Sequence, residues 1–272
     1  MIINDLAGLV RKMITANNNP QIKNIVALQK KSKLRKEQDV FIVEGVKMFK
    51  EAPKDRIEAV YVSESFLKDE AQAALLKGVK YECVSDKVFA SISDTMTPQG
   101  ILALVKQYHY SFDDIFKQNK APLLVVLEEL NDPGNLGTIV RTGEGAGITG
   151  IILSKGCVDI YNSKVIRATM GSIYRVPFMY VEDLHDALGI IKKHCTVYAA
   201  YLDEDRFDCY SGDYKKATAF LIGNEANGLT DETVSLADKR IIIPMEGKVE
   251  SLNASVAASV LMYEAHRQRR NA

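Results

Sequence analysis

The chain has 272 residues, of which 47% are hydrophobic and 26% are charged, as is typical of a globular protein with room for two domains. Its 35 basic and 35 acidic residues cancel at pH 7, which argues against nonspecific coating of polyanions but allows a locally patterned basic surface. The four cysteines form no Cys-x-x-Cys pair and the four histidines have no metal-ligand spacing, so we expect neither a disulfide framework nor a metal site.

The first part of the chain alternates strand and helix patterns. Residues 1–18 have apolar side chains at helical spacing and predict a helical extension, which is too short to span a bilayer and lacks the pattern of a secretory signal. Residues 19–107 predict a small α/β domain. Its predicted strands are 40–43, 59–63, 81–84 and 101–105, and its predicted helices include 45–52 and 64–77. The more polar residues 108–121 predict a linker.

Residues 122–272 predict a second α/β domain. A buried-type strand at 123–127 ends in the turn-rich residues 131–135, and a helix then begins near Asn135 and carries Arg141 about two turns further on. Further strands are predicted at 150–153 and 219–222, and a last strand ends near Ile243 before a helix rich in small residues begins at Ala254.

Polar side chains follow three of these strands where each strand ends. They are Asn135 with Arg141, then Glu225 in the glycine- and asparagine-rich loop 223–228, then Ser251 with Asn253. Sites in open α/β sheets form outside the carboxyl ends of strands, so these groups are candidates for one site. Ser251 or Asn253 would equally serve as the N-cap of the helix that follows.

The glycine-rich residues 143–147 have a spacing like that of the dinucleotide-binding fingerprint. They lie at the end of a predicted helix and before a strand, however, whereas phosphate cradling requires the glycines after a strand and at the start of a helix. The sequence therefore disfavours a nicotinamide or flavin enzyme.

Taken together, the three polar segments resemble the three motifs of the SpoU/TrmH family of RNA ribose 2′-O-methyltransferases. Motif one corresponds to residues 131–137 with Arg141, motif two to residues 223–229, and motif three to residues 243–245 with 251–253. The resemblance implies an α/β fold in which a C-terminal parallel sheet contains a deep trefoil knot. Residues 19–107 are similar to the L30e/L7Ae-like domain that binds RNA substrate in related enzymes, which implies an N-terminal L30e-like α/β domain.

The resemblance also implies site residues. The positions matching catalytic residues are Arg141, Asn135, Glu225, Ser251 and Asn253. Gly223, Ile243 and Leu252 match the positions that hold the adenosine part of S-adenosylmethionine, although Ile243 and Leu252 would by themselves be interpreted as core residues. Arg141 is expected to grip a phosphate and favour the alkoxide, with Asn135 orienting Arg141 or the ribose and Glu225 fixing the arginine or the loops.

The basic run Lys30, Lys31, Lys33 and Arg35 is the candidate for contacts with RNA phosphates, although such a run is also typical of a solvated helix face. The resulting expectation is a cytoplasmic homodimer, with no metal and no membrane, that methylates a ribose in structured RNA. Ribosomal RNA, in particular a guanosine of 23S rRNA, is favoured over tRNA. The alternatives are a tRNA ribose 2′-O-methyltransferase and a non-catalytic RNA-binding or assembly factor.

Overall fold

The computed structural model describes residues 2–4, 10–117, 120–201, 207–249 and 251–270. The chain forms two compact units. The N-terminal unit contains the residues up to Tyr108 together with Tyr161–Tyr174, and the C-terminal unit contains His109–Ile160 and the residues from Arg175 onward.

The elements follow one another in an α/β order. The strands are β1 (Ile2–Asn4), β2 (Val10–Lys12), β3 (Val40–Glu44), β4 (Ile57–Ser63), β5 (Glu82–Val84), β6 (Ile101–Lys106), β7 (Leu123–Leu127), β8 (Gly150–Ser154), β9 (Phe178–Val181), β10 (Thr196–Ala200), β11 (Phe207–Asp208), β12 (Thr218–Ile222) and β13 (Lys239–Ile242). The helices are α1 (Pro20–Lys30), α2 (Ser32–Gln38), α3 (Val46–Glu51), α4 (Glu64–Lys68), α5 (Glu70–Ala73), α6 (Asp86–Ile92), α7 (Phe112–Phe116), α8 (Pro133–Ala146), α9 (Ser163–Thr169), α10 (Leu184–Ile191), α11 (Asp231–Ser235) and α12 (Ala254–Arg270).

The N-terminal unit is built on a four-stranded sheet in the order β3-β6-β4-β5. β6 is antiparallel to both β3 and β4, and β4 is parallel to β5. The predicted α/β character of this part of the chain is confirmed. The single helix predicted at 64–77 is instead broken at Asp69, because the Asp69 carboxylate accepts hydrogen bonds from Ala71 N at 2.9 Å and Gln72 N at 3.1 Å and so starts a new helix.

The prediction of a helix in the N-terminal extension was wrong for the residues that the structure describes there. β1 and β2 pair antiparallel, with Ile3 opposite Arg11, and residues 5–9 lie outside the described part of the chain. Further on, Ile14 lies beside β5, where its N–H donates to Cys83 O at 2.8 Å and its carbonyl accepts from Ser85 N at 2.9 Å. The open backbone groups of the edge strand β5 thus hydrogen-bond to Ile14 and hold this part of the extension in an extended conformation. The spacing of apolar residues along the sequence could not reveal this pairing.

Residues Tyr161–Tyr174 belong to the N-terminal unit, although the sequence-based division placed them in the second domain. The ring of Tyr161 stacks on that of Phe41 with the centroids 4.7 Å apart, and its hydroxyl accepts a hydrogen bond from Tyr108 N at 2.6 Å. The hydroxyl of Tyr174 donates to Met48 O at 3.0 Å. The N-terminal unit is therefore completed by a segment that lies far along the sequence.

The C-terminal unit is built on a seven-stranded sheet in the order β11-β13-β10-β12-β7-β8-β9, and each neighbouring pair is parallel. This confirms the predicted parallel sheet. β7 and β12 are fully buried neighbours, as their continuous apolar runs predicted. Helices α8 and α12 pack against each other, and α7, inside the predicted linker, buries Ile115 in the core of this unit. No helix in the described ranges is long and apolar enough to cross a membrane.

Candidate active site

Asn135 and the N-terminus of α8 lie at the carboxyl end of β7. The side chain of Asp132 caps this helix by accepting a hydrogen bond from Asn135 N at 2.7 Å, and Pro133 occupies the first turn, where its missing N–H costs nothing. The cap fixes the first turn of α8, so the buried side chain of Asn135 is held in place to contact two other loops.

The carboxylate of Glu225 is the first of these contacts. It accepts hydrogen bonds from Asn131 N at 3.1 Å, Asp132 N at 2.9 Å and Asn135 Nδ2 at 2.9 Å. Partial burial raises the pKa of Glu225, but hydrogen bonds from Asn135, Asp132 and Asn131 outweigh that effect and leave the pKa below its ordinary value. Glu225 therefore acts as an ionised clamp between motif two and motif one.

Asn253 makes the second contact and has two structural roles. Its Nδ2 donates to Asn135 Oδ1 at 2.9 Å, while its Oδ1 accepts from Ser255 N at 2.9 Å and Ser255 Oγ at 2.7 Å. Asn253 is thus both the N-cap of α12 and a member of a polar chain that runs through Asn135 to Glu225. The three motifs are joined by side chains that the sequence places far apart.

The loop of motif two is closed on itself by Gly223 and Gly228. Asn224 and Gly228 exchange backbone hydrogen bonds of 3.0 Å, and Gly228 has a φ of +68°. A Cβ placed on Gly223 would lie 2.1 Å from Gly228 C and 2.3 Å from Leu229 N. Glycine is required at 223 because the loop's own backbone passes directly over it.

A pocket of about 400 Å³ lies beside this loop. The residues lining it are Ala200, Tyr201, Ile222, Gly223, Asn224, Glu225, Ala226, Asn227, Gly228, Leu229, Ile241, Ile242, Ile243, Met245, Ser251, Leu252, Ala254 and Ala257. This set includes all three residues predicted to hold the cofactor, and Ile243 and Leu252 are half-buried in its wall. The volume lies in the range of small-molecule pockets, roughly 300–1,000 Å³, and the mixture of apolar walls with a few polar groups suits an adenosine derivative.

Arg141 stands apart from this network. Its side chain is exposed on α8 and makes no hydrogen bond or ion pair with any residue that the structure describes. Six residues separate it from Asn135, which turns the two side chains about 120° apart around the helix axis. The expected contacts of Arg141 with Asn135 or Glu225 are therefore not formed, and the guanidinium is left available to an incoming anion.

The buried carboxylate of Glu128 was not predicted by any local sequence pattern. It accepts hydrogen bonds from Thr230 N and Thr230 Oγ1, both at 2.9 Å, and from the hydroxyl of Thr233. These bonds tie the residue after β7 to Thr230, which follows directly on the pocket-lining Leu229 of motif two. Thr230 was recognisable as a helix cap, but its partner lies 102 residues away.

The basic run in the N-terminal unit divides into two kinds of residue. Lys30, Lys31 and Lys33 are exposed, and the only ion pair found for them among the described residues is a 3.8 Å contact from Lys33 to Glu37. Arg35 is a correction to the predicted RNA contacts, because it is buried and its Nη1 donates to the carbonyls of Leu28 at 2.5 Å and Gln29 at 3.2 Å. It satisfies the open carbonyls at the end of α1.

Metal and thiol chemistry find no support in the described ranges. No group of three His, Cys, Asp or Glu side chains that could hold a metal ion occurs there. The free cysteines Cys83, Cys157, Cys195 and Cys209 are buried, and burial raises the pKa of each thiol. Buried thiols of this kind are inert.

Three such motifs meet around a small-molecule pocket at the ends of parallel strands. This arrangement is that of an RNA methyltransferase that uses S-adenosylmethionine. The chain belongs to the SpoU rRNA Methylase family, whose profile matches residues 122–263. Residues 19–103 match the MRM3-like substrate binding domain.

Individual proteins agree with this assignment over nearly the whole chain. The 23S rRNA (guanosine(2553)-2′-O)-methyltransferase RlmP of Bacillus subtilis is 29% identical, and the match covers 93% of this chain and 98% of that protein. The AdoMet-bound rRNA methyltransferase from Sinorhizobium meliloti has 31% identity and a TM-score of 0.82, covering 94% of this chain and 97% of that one. The SpoU methyltransferase AviRb from Streptomyces viridochromogenes, in complex with AdoMet, has 25% identity and a TM-score of 0.84, and the match covers 93% of this chain and 99% of that one.

Proposed function

We propose that this enzyme methylates the 2′-hydroxyl of a ribose in 23S ribosomal RNA, with guanosine as the target nucleoside. The single observation that carries the proposal is the chain Glu225–Asn135–Asn253, which joins all three motifs beside the pocket. The 2′-O-methyltransferase of Bacillus subtilis, which resembles this chain over both units, supports the choice of 23S rRNA and guanosine.

Gly223, Ile243 and Leu252 would hold the adenosine part of the cofactor, because they line the pocket through main chain and apolar side chains. The cofactor supplies an electrophilic methyl group on a good leaving group, so the protein needs to add mainly alignment and electrostatics. Asn135 and Asn253 fix the loops around the pocket, and Ser251 is one of the polar residues that line it.

Arg141 supplies the charge in this proposal. A guanidinium has only hydrogen-bond donors and fits two phosphate oxygens at once, so Arg141 acts as an anion-binding cation rather than as a base. Its side chain is exposed, so it is free to grip the phosphate beside the target ribose and to favour the negative charge that develops on the 2′-oxygen. The hydroxyl proton then passes to that phosphate or to water.

The N-terminal unit is the part that grips RNA. Lys30, Lys31 and Lys33 are exposed and available for phosphate contacts, whereas Arg35 is not. The absence of disulfides among the described cysteines is consistent with a reducing cytoplasm.

Two further features complete the proposal. The C-terminal tail would thread through the sheet loops as a trefoil knot, and a second copy would dock on α12. Val256 and Tyr263 on this helix are 47% and 49% exposed and lie two turns apart on one face, which supports an apolar interface. Analytical ultracentrifugation of the wild-type protein and of Val256→Glu tests the dimer. A wild-type protein that sediments as a monomer would refute it.

Transfer of tritium from methyl-labelled S-adenosylmethionine separates the candidate functions. Label is expected in a 23S rRNA transcript and not in tRNA, and mapping of methylated riboses in a deletion strain against its parent should show one site lost. Label in tRNA alone would favour the tRNA enzyme. Tight RNA binding without any label would favour a non-catalytic assembly factor.

A further inference from the structure

Tyr201 is the aromatic residue in the wall of the pocket beside motif two. Among the described residues that line this pocket, no other has an aromatic side chain. Tyr201 follows directly on the carboxyl end of β10, is half-buried, and packs against the core of the C-terminal unit. A ring that lies partly in the core and partly in a ligand pocket presents a flat apolar surface to the ligand.

The register of the parallel sheet places Tyr201 between two other pocket residues. On one side, its N–H donates to Ile241 O at 3.2 Å. On the other side, Ala199 pairs with Leu221, and continuing this register by two residues brings Tyr201 level with Gly223. Gly223 is one of the residues expected to hold the adenosine part of the cofactor. Tyr201 is therefore the neighbour of that position across the sheet.

A carboxylate fixes the ring at its hydroxyl end. The hydroxyl of Tyr201 donates to Asp231 Oδ1 at 2.6 Å, which is the short distance of a bond to a carboxylate. Asp231 lies in the first turn of α11, and the N-cap of that helix, Thr230, donates through its N–H to Glu128 Oε2 at 2.9 Å. The ring is thus tied through α11 to the end of β7, so its orientation is set before a ligand arrives.

The sheet order separates Tyr201 from the groups expected to act on the ribose. β10 lies two strands away from β7, which is about 10 Å at the usual strand spacing, and α8 with Asn135 and Arg141 follows β7. The methyl group of the cofactor has to face Arg141 in the proposed function. The sulfonium is therefore not the part of the cofactor nearest to Tyr201.

The two ends of the cofactor differ sharply in polarity, since one is a flat purine and the other a zwitterionic amino acid. No lysine or arginine is among the described residues that line the pocket, and Glu225 already accepts three hydrogen bonds from motif one. The pocket residues Ala200 and Ile241 next to Tyr201 are apolar. This end of the pocket suits a purine and would leave the charged amino-acid groups without partners.

We propose that the ring of Tyr201 stacks on the adenine base of S-adenosylmethionine and that Asp231 holds the ring in the stacking orientation. Aromatic side chains stack on the faces of bases in many nucleotide sites, and the contact needs no hydrogen-bond partner on the base. This role rests on the proposed function, in which the cofactor occupies the pocket. Tyr201 would add a side-chain contact with the base to the contacts expected from Gly223, Ile243 and Leu252.

Calorimetric titration of the full-length chain with three adenine ligands tests the stacking. The ligands are S-adenosylmethionine, S-adenosylhomocysteine, which lacks the positive sulfur, and methylthioadenosine, which lacks both that charge and the amino acid. Tyr201→Ala should raise all three dissociation constants by the same factor, about 5- to 100-fold for one base on one ring. A larger loss for S-adenosylmethionine than for S-adenosylhomocysteine would place the ring on the sulfonium. Unchanged binding of methylthioadenosine would place the ring on the amino acid, and either result would overturn the proposal.

Tyr201→Phe keeps the ring and removes its hydrogen bond to Asp231. Its dissociation constants should rise about two- to tenfold, which is the usual cost of ordering one more side chain on binding. Asp231→Ala should match it, because both changes remove the same bond. The double variant should bind no more weakly than either single variant, since the two residues act through one contact. Losses that multiply in the double variant would show that Asp231 does not act through the ring.

Tyr210→Ala is the matched control, because Tyr210 is 54% exposed and is not among the residues that line the pocket. It should bind all three ligands as the wild-type protein does. Melting curves without ligand check that each variant is folded. Tyr201→Leu, which keeps apolar bulk without an aromatic face, should show the same shared loss and replaces Tyr201→Ala if the alanine variant is unstable.

The titrations contain no RNA, so an error in the proposed RNA substrate would leave them unaffected. Unchanged affinities in Tyr201→Ala, together with weaker binding in Gly223→Ala, would overturn the stacking role alone. Unchanged affinities in both variants would remove the cofactor from this pocket and overturn the pocket assignment as well.

Discussion

The side chains of Asn135 and Glu225 meet at 2.9 Å although 90 residues separate them in the sequence. The contact joins the first turn of α8 to the loop after β12, and these two segments flank neighbouring parallel strands, β7 and β12. Because the carboxyl ends of parallel strands lie at the same edge of the sheet, two polar loops there are forced into contact. The Glu225 carboxylate stabilises this junction only while it is ionised.

The stability of the junction should therefore depend on pH. The pKa of Glu225 is lowered in the folded chain, because hydrogen bonds from Asn135, Asp132 and Asn131 outweigh the effect of burial. Its stabilising contribution is present above the usual pKa of glutamate and is lost as the pH falls through the folded-state value. Urea unfolding of the wild-type protein and of Glu225→Gln should differ most at neutral pH, and the difference should shrink as the pH falls below the usual glutamate pKa. A difference that stays constant with pH would show that the carboxylate charge plays no part.

Arg141→Ala should abolish nearly all methyl transfer without unfolding the protein. Loss of one electrostatic donor to developing charge costs about 10²–10³ in turnover. Arg141 is exposed and unpaired among the described residues, so the free energy of unfolding should change by less than about 0.5 kcal/mol. Turnover, cofactor affinity by calorimetry and melting temperature are the three measurements. Arg141→Lys keeps the charge but loses the forked geometry, and should recover part of the activity.

Two substitutions at Asn253 can separate its role as a helix cap from its hydrogen bond to Asn135. Asn253→Ala removes both the cap of α12 and the bond to Asn135, and should cost about 1 kcal/mol of stability as well as activity. Asn253→Asp keeps an acceptor for Ser255 N but loses the Nδ2 donor, so it should keep stability and still lose activity. Melting curves and tritium transfer on both variants check this. Full activity in Asn253→Asp would mean that the residue is only a cap.

Much of the fold could be read from local patterns. The continuous apolar runs of β7 and β12 are typical of strands buried on both faces, and the turn residues after β7 placed the start of α8 within two residues. The helix prediction for the N-terminal extension failed because the strand pairing found there depends on contacts that apolar spacing does not encode.

The site was predictable only in part. Gly223, Ile243 and Leu252 line one pocket, and their contact with the cofactor stays a prediction. The partners of each polar group were not readable, because Asn253 and Asn135 are 118 residues apart and the register of distant strands decides which atoms meet. Arg35 shows the same limit, since its position in a basic run suggested a surface residue, whereas the end of α1 buries it.

The backbone crossing at Gly223 makes the sharpest test of the pocket itself. Gly223→Ala would push a Cβ against Gly228 C at 2.1 Å, which only a movement of the loop can relieve, so we expect a loss of about 1–3 kcal/mol in stability. Since the moved loop forms one wall of the pocket, calorimetry should also show weaker binding of S-adenosylmethionine. Gly247→Ala is the matched control, because a Cβ there meets nothing within 4 Å. Equal cofactor affinity in both variants would place the cofactor somewhere other than this pocket.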